Sequence, residues 1–167
     1  LTRNIFNKDN SIKEFLKFHN PREKAKLKFI KKIIPLKNKK ILESNCGAGI
    51  LINNLKKQSK LTAGLDNKFY RNHIESEGHK FFSNLKEIQK SKIKFDVIFS
   101  LSEIEHKYDP IGFIKNLKKI LSRKGAIILR IPNYDNIYAK LLGKSFFRYD
   151  FRISHNFYFS EKNLDHL

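Results

Sequence analysis

Glycine, cysteine and several large side chains are scarce or absent in this chain. Its 167 residues include seven glycines, four prolines and one cysteine, and there is no methionine or tryptophan. The single cysteine, Cys46, cannot form a disulfide within the chain, which indicates a reducing compartment such as the cytoplasm. No apolar run approaches the roughly 18 to 20 residues of a membrane span, and no signal-peptide pattern opens the sequence. A cytoplasmic protein without a transmembrane segment is therefore expected.

Acidic residues are also few, at 16 against 35 lysines and arginines, which leaves a formal net charge of +19. Such an excess is typical of proteins that bind nucleic acid. The chain is rich throughout in Lys, Asn, Ile and Phe, however, so most of its lysines are expected to be solvated surface. Charge alone leaves nucleic acid open as a partner without favouring it.

The first 37 residues are predicted to form a basic helical segment that packs on the rest of the chain. The sequence NPRE at 20–23 has the residues of a helix start, with Asn as the cap and Pro at the first helical position. A helix from about 21 to 34 would follow. Its inward-facing residues would be Phe29, Ile30, Ile33 and Ile34. Such a helix could also rest on an anionic membrane or an RNA backbone.

Residues 38–167 are predicted to form one α/β domain. Strands are predicted at Lys40–Ser44, Leu61–Asp66, His79–Phe82, Phe95–Leu101 and Ala126–Ile131, and helices at about 49–57, 68–77 and 110–121. The strand candidates are nearly continuous apolar runs, as expected where helices cover both faces of a sheet. Strands and helices in alternation predict a Rossmann-like, doubly wound, mostly parallel sheet.

Aromatic residues crowd the segment 146–159, after a short helix that is expected to end near Gly143. They are Phe146, Phe147, Tyr149, Phe151, Phe157, Tyr158 and Phe159. Two interpretations stay open. The segment could simply pack against the edge of the sheet, or it could form a lid over the ligand cleft at the carboxyl ends of the strands.

Two of the few glycines fall in ILESNCGAGI, residues 41–50. Glu43 lies at the end of the first strand and the next helix begins near Gly49, so the glycines occupy a strand-to-helix turn. Such a turn brings backbone N–H groups close to a ligand at the positive end of the helix. Asn45 stands where many such loops have glycine, and Asn is among the residues that best tolerate a positive φ.

Asp66 ends the second predicted strand, and an acid at this place can accept hydrogen bonds from both hydroxyls of a ribose. Together with the glycine turn, it indicates a nucleoside ligand. The dinucleotide fingerprint G-x-G-x-x-G fails because Ile52 stands at its third glycine, and no P-loop lysine is present. Glu43 is placed to meet a cationic group. S-adenosylmethionine is a sulfonium nucleoside with a free amino group, and it fits these features.

Five segments match, in order, the motifs of one family. ILESNCGAG resembles its E-x-G-x-G-x-G loop, LTAGLD its second motif, and FDVIFSLSEIEHKYDP its fourth-strand segment, which often reads L-E-H-x-x-D-P. LSRKGAIILRIPN resembles its L-x-P-G-G turn and fifth strand, and HNFYFSEKNL a later H-x-x-Y-F-S/T segment. By these motifs, residues 38–167 resemble the class I S-adenosylmethionine-dependent methyltransferases, in the broad group that includes ubiquinone-pathway O-methyltransferases.

The resemblance implies cofactor-binding roles for residues at the ends of the strands. Glu43 would address the amino group of the cofactor, Asp66 its ribose and Asn84 its adenine. The whole expected set is Glu43, Asn45, Gly47, Gly49, Asp66, Asn84, Leu101 and Ser102. Two simpler readings stay open: Asp66 could be an ordinary helix cap, and Glu43 a surface carboxylate.

Methyl transfer is an in-line displacement on a carbon that the positive sulfur already activates, so the protein mainly aligns the acceptor and excludes water. A hydroxyl or amine acceptor can need a base, and Glu105 and His106 are the expected catalytic residues. His106 could equally cap structure, and His155 is a second, weaker candidate. Some family members bind a divalent metal with acid and His residues of this region. Because Ser102 stands where that pattern has an acid, no metal is predicted.

Three functions are consistent with these sequence features. The favoured one is methyl transfer to a small-molecule, lipid-linked or glycan-type acceptor, since no RNA-binding motif is present. The second is an RNA methyltransferase or RNA binder, which the charge favours. The third is an inactive cofactor-binding module. The family fold continues into a final antiparallel hairpin that this chain does not show, so the domain at 38–167 is expected to be incomplete at its C terminus.

Overall fold

The computed structural model describes residues 9–143 and 155–165, which build a five-stranded sheet. The strands are β1 (Lys40–Ser44), β2 (Leu61–Leu65), β3 (Lys80–Phe82), β4 (Phe95–Leu101) and β5 (Leu121–Arg130). Their order is β3-β2-β1-β4-β5 and every neighbouring pair is parallel. The order reverses between β1 and β4, and ligands of doubly wound sheets bind at the carboxyl ends of the strands at such a point.

Helices connect the strands and cover the sheet. They are α1 (Asp9–Ile33), α2 (Ile50–Leu55), α3 (Arg71–Ser76), α4 (Leu85–Ser91), α5 (Pro110–Lys118), α6 (Ile137–Leu142) and α7 (Glu161–Leu164), with 3₁₀ turns at Lys56–Gln58, Lys68–Tyr70 and Ile104–His106. Within the described ranges, none of them combines the length and apolar character needed to cross a bilayer.

Alternate side chains of each strand enter two cores, one on each face of the sheet. Ile41 and Phe99 belong to the core that also contains residues of α1, α2 and α3. Leu42 and Ile98 belong to the other core, which contains residues of α4 and α5. Helices therefore cover both faces, and the predicted Rossmann-like α/β fold is confirmed.

The predicted start of the N-terminal helix is wrong. α1 begins at Asp9 and runs through Pro21 instead of starting there. Asn20, the expected cap, uses its side-chain oxygen to accept a hydrogen bond of 2.8 Å from Asn54 Nδ2 of α2. Pro21 removes one intrahelical hydrogen bond. Packing of the helix on the domain stabilises it in spite of that loss.

The buried face of α1 also differs from the prediction. Leu27 and Ile30 are buried, whereas Phe29 and Ile33 are each 65% exposed. Residues 27, 30 and 34 follow the three- and four-residue spacing of a single helical face, and Ile34 packs against the core. Phe29 and Ile33 lie four residues apart on a different face, which is turned away from the sheet.

β5 begins at Leu121, earlier than the predicted Ala126. Phe95 pairs with Leu121, and the next pair along is Val97 with Ala126, so residues 122–125 form an irregularity in the ladder. A Cβ at Gly125 would lie 3.0 Å from the Phe95 carbonyl oxygen. The turn expected at this place is therefore a bulge within the strand.

The described part of the aromatic C-terminal segment packs beside β5. Phe159 is buried in the core that contains α5, and its carbonyl oxygen accepts a hydrogen bond of 2.9 Å from the Tyr134 N–H. α6 ends at Leu142, before Gly143, as predicted. The remaining predicted aromatic residues, Phe146, Phe147, Tyr149 and Phe151, lie outside the described residues.

Candidate functional site

A cavity of about 260 Å³ opens at the carboxyl ends of β1 and β4. Five of the eight residues expected to bind the cofactor line it: Glu43, Asn45, Gly47, Leu101 and Ser102. This first cavity lies at the reversal of strand order, where the fold predicts a ligand site. The sequence therefore identified much of its lining, because those residues follow directly from the ends of the two strands.

The turn between β1 and α2 requires unusual backbone angles. Asn45 adopts φ 58°, as its place in the sequence suggested, and Gly47 and Gly49 adopt 51° and 72°. A Cβ at Gly47 would meet no atom within 4 Å, so this glycine leaves room beside the cavity that it lines. A Cβ at Gly49 would lie 2.5 Å from Ile74 Cδ1. Gly49 does not line the cavity, and its visible role is to let α2 approach α3.

Glu43 is a buried carboxylate in the wall of the first cavity, not a surface residue. Its Oε2 atom has no hydrogen-bond partner among the described residues. Burial, with the nearby Glu23 carboxylate as a second cause, raises the pKa of Glu43 well above its usual value. A buried acceptor of this kind is stabilised by a ligand that brings a positively charged donor.

Asp66 supports the glycine turn from the end of β2. Its Oδ2 atom accepts a hydrogen bond of 2.7 Å from the Gly47 N–H, and its Oδ1 atom accepts one of 2.6 Å from the Asn67 N–H. Asp66 is not the helix cap, since the side chain of Asn67 accepts the Phe69 N–H of the following 3₁₀ turn. It is also not among the residues that line the first cavity.

Asn84 lies away from the first cavity and caps α4, a helix that the sequence patterns did not predict. Its side-chain oxygen accepts a hydrogen bond of 3.0 Å from the Glu87 N–H. Such a bond satisfies one of the N–H groups that a helix start leaves without an intrahelical partner. The structure thus gives the expected adenine residue a local structural role.

α1 contributes three residues to the first cavity that the sequence analysis missed: His19, Glu23 and Lys26. They are spaced four and three residues apart, so they share one helical face. That spacing was visible in the sequence. The helix was expected to start after His19, however, and only its apolar residues were expected to face inward.

A second cavity of about 510 Å³ lies beside the first. It brings together Glu105, His106 and His155, the three candidates for proton transfer. The complete described lining is Arg22, Lys26, Ser102, Glu105, His106, Arg130, Ile131, Pro132 and His155. Lys26, Ser102 and Arg130 border both cavities, and Arg130 Nη1 donates a hydrogen bond of 2.9 Å to Ser102 Oγ.

Glu105 is 1% exposed, and neither carboxylate oxygen has a hydrogen-bond partner among the described residues. Its backbone oxygen accepts hydrogen bonds from the Asn156 and Phe157 N–H groups at 2.8 and 3.2 Å. These bonds fix the segment that carries His155, and the rings of His106 and His155 lie 4.8 Å apart. Pairing of these two histidines could not be predicted, because the residues are far apart in sequence.

Glu105, His106 and His155 also offer one ligand atom each within 4.8 Å of one another, a spacing that a metal ion could bridge. The absence of a metal thus stays a prediction.

The Cys46 thiol is buried, and burial raises its pKa well above the usual range. A thiol held in the protonated form is a poor nucleophile, so Cys46 is not proposed to take part in catalysis.

Residues 17–167 match the family model described as a methyltransferase domain. Among curated proteins, the chain is 28% identical over 117 residues to the ubiquinone biosynthesis O-methyltransferase of Coxiella burnetii, which covers 65% of this chain and 50% of that protein. It is 26% identical over 121 residues to the tRNA U34 carboxymethyltransferase of Sulfurimonas denitrificans, with 65% and 40% coverage. The chain thus spans about half or less of the length of these relatives.

Solved structures show the same fold at low sequence identity. The magnesium protoporphyrin IX methyltransferase of Synechocystis PCC 6803, solved with bound S-adenosylhomocysteine, aligns with a TM-score of 0.61 and 16% identity over 87% of this chain and 69% of that one. A methyltransferase dependent on S-adenosylmethionine from Archaeoglobus fulgidus aligns with a TM-score of 0.60 and 16% identity over 90% and 66%.

Proposed function

Because this chain belongs to the methyltransferase-domain family and has the fold of the class I S-adenosylmethionine-dependent methyltransferases, we propose that it transfers the methyl group of S-adenosylmethionine to a small-molecule, lipid-linked or glycan-type acceptor. In this proposal, residues 38–167 form the cofactor-binding domain and residues 1–37 a helical segment that helps to cover it. A cytoplasmic location belongs to the same proposal.

The observation that carries the proposal is the buried carboxylate of Glu43 beside the glycine turn. Oε2 has no hydrogen-bond partner among the described residues, and the ammonium group of the cofactor would supply both a donor and a positive charge. Gly47 leaves open space at the same cavity. These features fit the amino-acid end of S-adenosylmethionine, whereas a dinucleotide would not need the buried acid.

Within this site, the chain would mainly bind, orient and exclude water. Bound S-adenosylmethionine would supply a methyl group that is activated by a positive sulfur. Glu105 and His106 would accept the proton that a hydroxyl or amine acceptor loses, since they line the adjoining second cavity. Ser102 borders both cavities, and its hydrogen bond from Arg130 would help to position the acceptor next to the cofactor.

Calorimetric titration with S-adenosylhomocysteine tests the proposal, with NAD as the control ligand. We expect binding to the unchanged chain and a loss of about tenfold or more in Glu43→Gln, because a charge-assisted contact is removed. Glu77→Gln is the matched control, since Glu77 is exposed and is not among the residues that line the first cavity. No binding of S-adenosylhomocysteine to the folded chain, or equal binding of NAD, would contradict the proposal.

RNA is the second candidate acceptor, supported by the net charge of +19 and by the similarity to a tRNA-modifying relative. Lysines also line a shallow depression on α1, where Lys24, Lys28 and Lys31 lie together. Charge alone would give binding that weakens steeply with salt but does not distinguish sequences. Methylation of tRNA, with discrimination between tRNA species that persists at high salt, would favour this candidate over the first.

A further inference from the structure

Positive charge exceeds negative charge in the lining of the second cavity. Arg22, Lys26 and Arg130 line it, together with the single carboxylate of Glu105. Lys26 forms an ion pair with Glu23. Within the described ranges, neither Arg22 nor Arg130 forms an ion pair. Two guanidinium groups are therefore left to attract an anion.

The hydrogen bond between Arg130 and Ser102 orients one of these groups. Arg130 donates from Nη1 to Ser102 Oγ at 2.9 Å, and an arginine has five N–H donors in all. The donors that remain lie in one plane and match the two oxygens of a carboxylate or the oxygens of a phosphate. Arg22 approaches the same cavity from α1.

Glu105 adds a buried hydrogen-bond acceptor to the same cavity. Its carboxylate is almost completely buried and has no hydrogen-bond partner in the described part of the chain. Burying such a group is costly unless a ligand donates to it. A ligand that matches the whole lining therefore needs a hydrogen-bond donor that faces Glu105 and an anionic group that faces the arginines.

Building on the proposed function, we infer that the methyl acceptor is an acidic molecule. It carries an oxyanion, either a carboxylate or a phosphate, that is held by Arg22 and Arg130. It also carries a hydroxyl or amine that donates to Glu105 and is the group to be methylated. An uncharged acceptor would leave both guanidinium groups without an ionic partner among the described residues.

Nuclear magnetic resonance of arginine side chains tests this inference directly. The chain is labelled with ¹⁵N at arginine and kept with S-adenosylhomocysteine while inorganic phosphate, benzoate or neutral benzamide is added at constant ionic strength. Signals are assigned with Arg22→Gln, Arg130→Gln and Arg123→Gln. Arg123 is the control, since it is an exposed residue of the same strand as Arg130 and lines neither cavity.

We expect saturable shifts of the Arg22 and Arg130 signals with at least one of the two anions. Arg22→Gln should weaken that anion about tenfold, as expected for loss of a charge-assisted hydrogen bond, while Arg123→Gln leaves it unchanged. A response to phosphate alone or to benzoate alone identifies the kind of oxyanion.

Absence of a saturable response, an equal response at Arg123 or an equal effect of benzamide would overturn the inference. The same samples are titrated with S-adenosylhomocysteine before any anion is added. Binding of S-adenosylhomocysteine without a specific anion response would overturn only the acidic acceptor. Failure to bind S-adenosylhomocysteine would instead count against the proposed function.

Discussion

Asp66 Oδ2 and the backbone nitrogen of Gly47 are joined by a hydrogen bond of 2.7 Å. The bond connects the end of β2 to the turn that follows β1, while the other carboxylate oxygen accepts the Asn67 N–H. Asp66 therefore shapes the turn before any ligand arrives. Its replacement should change cofactor binding through the backbone as well as through any direct contact with a ribose.

Asp66→Ala should lower the affinity for S-adenosylhomocysteine about tenfold or more, because both accepted hydrogen bonds are lost. Asp66→Asn should lose less, since one side-chain oxygen remains as an acceptor. Calorimetry measures both. Asp109→Ala is the control: it removes the cap of α5, which should cost about 1 kcal/mol of stability and leave the affinity unchanged. Wild-type affinity in Asp66→Ala would show that Asp66 does not support the site.

Glu43→Gln should stabilise the ligand-free protein at neutral pH while it weakens cofactor binding. Since burial raises the pKa of Glu43 in the folded state, the folded protein holds the proton more tightly than the unfolded chain. The contribution of this group is then complete below the pKa of the unfolded carboxyl, and it is lost as the pH rises toward the folded pKa. We therefore expect Glu43→Gln to be more stable than the unchanged chain at neutral pH.

Urea unfolding of Glu43→Gln and the unchanged chain across a range of pH measures this difference. The gain should shrink as the pH falls toward the ordinary pKa of a carboxyl group, where both side chains are neutral. A variant that is less stable than the unchanged chain at neutral pH would contradict the expected cost of the buried charge.

His79 should make stability depend on pH in the acidic range. The ring bridges Thr62 Oγ1 at 2.6 Å and Asn53 Oδ1 at 2.7 Å. Because the Asn53 oxygen can only accept, we assign the hydrogen of the neutral ring to Nε2. Burial lowers the pKa of His79 to about 4 from its usual 6.5. The unfolded chain therefore binds the proton first, and stability should fall as the pH drops from about 6.5 toward 4.

Because the pKa falls from 6.5 to about 4 and each pKa unit corresponds to about 1.4 kcal/mol, the expected loss of stability from His79 protonation is about 3 kcal/mol at pH 4. Denaturant unfolding at successive pH values should show this slope for the unchanged chain. His79→Gln should be less stable at neutral pH, because it cannot reproduce both contacts, and its slope should be shallower. Identical slopes of unfolding free energy against pH for the unchanged chain and His79→Gln would show that protonation of His79 is not the cause of the loss of stability.

Gly47→Ala and Gly49→Ala form a matched pair that separates binding from packing. Both glycines have positive φ, so alanine is strained at either place. Only at Gly49 would the added Cβ also meet Ile74, at 2.5 Å. Gly49→Ala should therefore lose about 1 to 3 kcal/mol more stability than Gly47→Ala. Gly47→Ala should lose more affinity for S-adenosylhomocysteine, because it places a methyl group at the cavity. Thermal unfolding measures the two stabilities, and calorimetry measures the two affinities. A reversed order of the variants in either measurement would contradict the roles assigned to these glycines.

Local patterns were enough to predict β1 to β4 and the residues that follow directly from them. Glu43 and Ser102 could be assigned to one cavity because the carboxyl ends of neighbouring parallel strands meet at one edge of a sheet. The backbone of Asn45 could also be predicted, because only a few residue types adopt a positive φ without large strain.

Features that depend on partners distant in sequence could not be predicted. Asn20 contacts Asn54 and does not cap its own helix, so the start of α1 was misplaced, and the contribution of Lys26 to both cavities was missed with it. The position of His155 beside His106 depends on the backbone bonds from Asn156 and Phe157 to Glu105. Gly49 resembled a ligand-binding glycine because nothing in the turn itself reveals the approach of Ile74.

α1 borders both cavities: Lys26 lines both, while His19 and Glu23 line the first and Arg22 lines the second. A ligand that restrains this helix at one cavity reduces the conformational entropy that a ligand at the other cavity must still remove. Thermodynamic linkage makes such an effect reciprocal: if cofactor occupancy tightens acceptor binding by some factor, acceptor occupancy tightens cofactor binding by the same factor. An affinity measured for either ligand alone is then a lower limit on its affinity in the ternary complex.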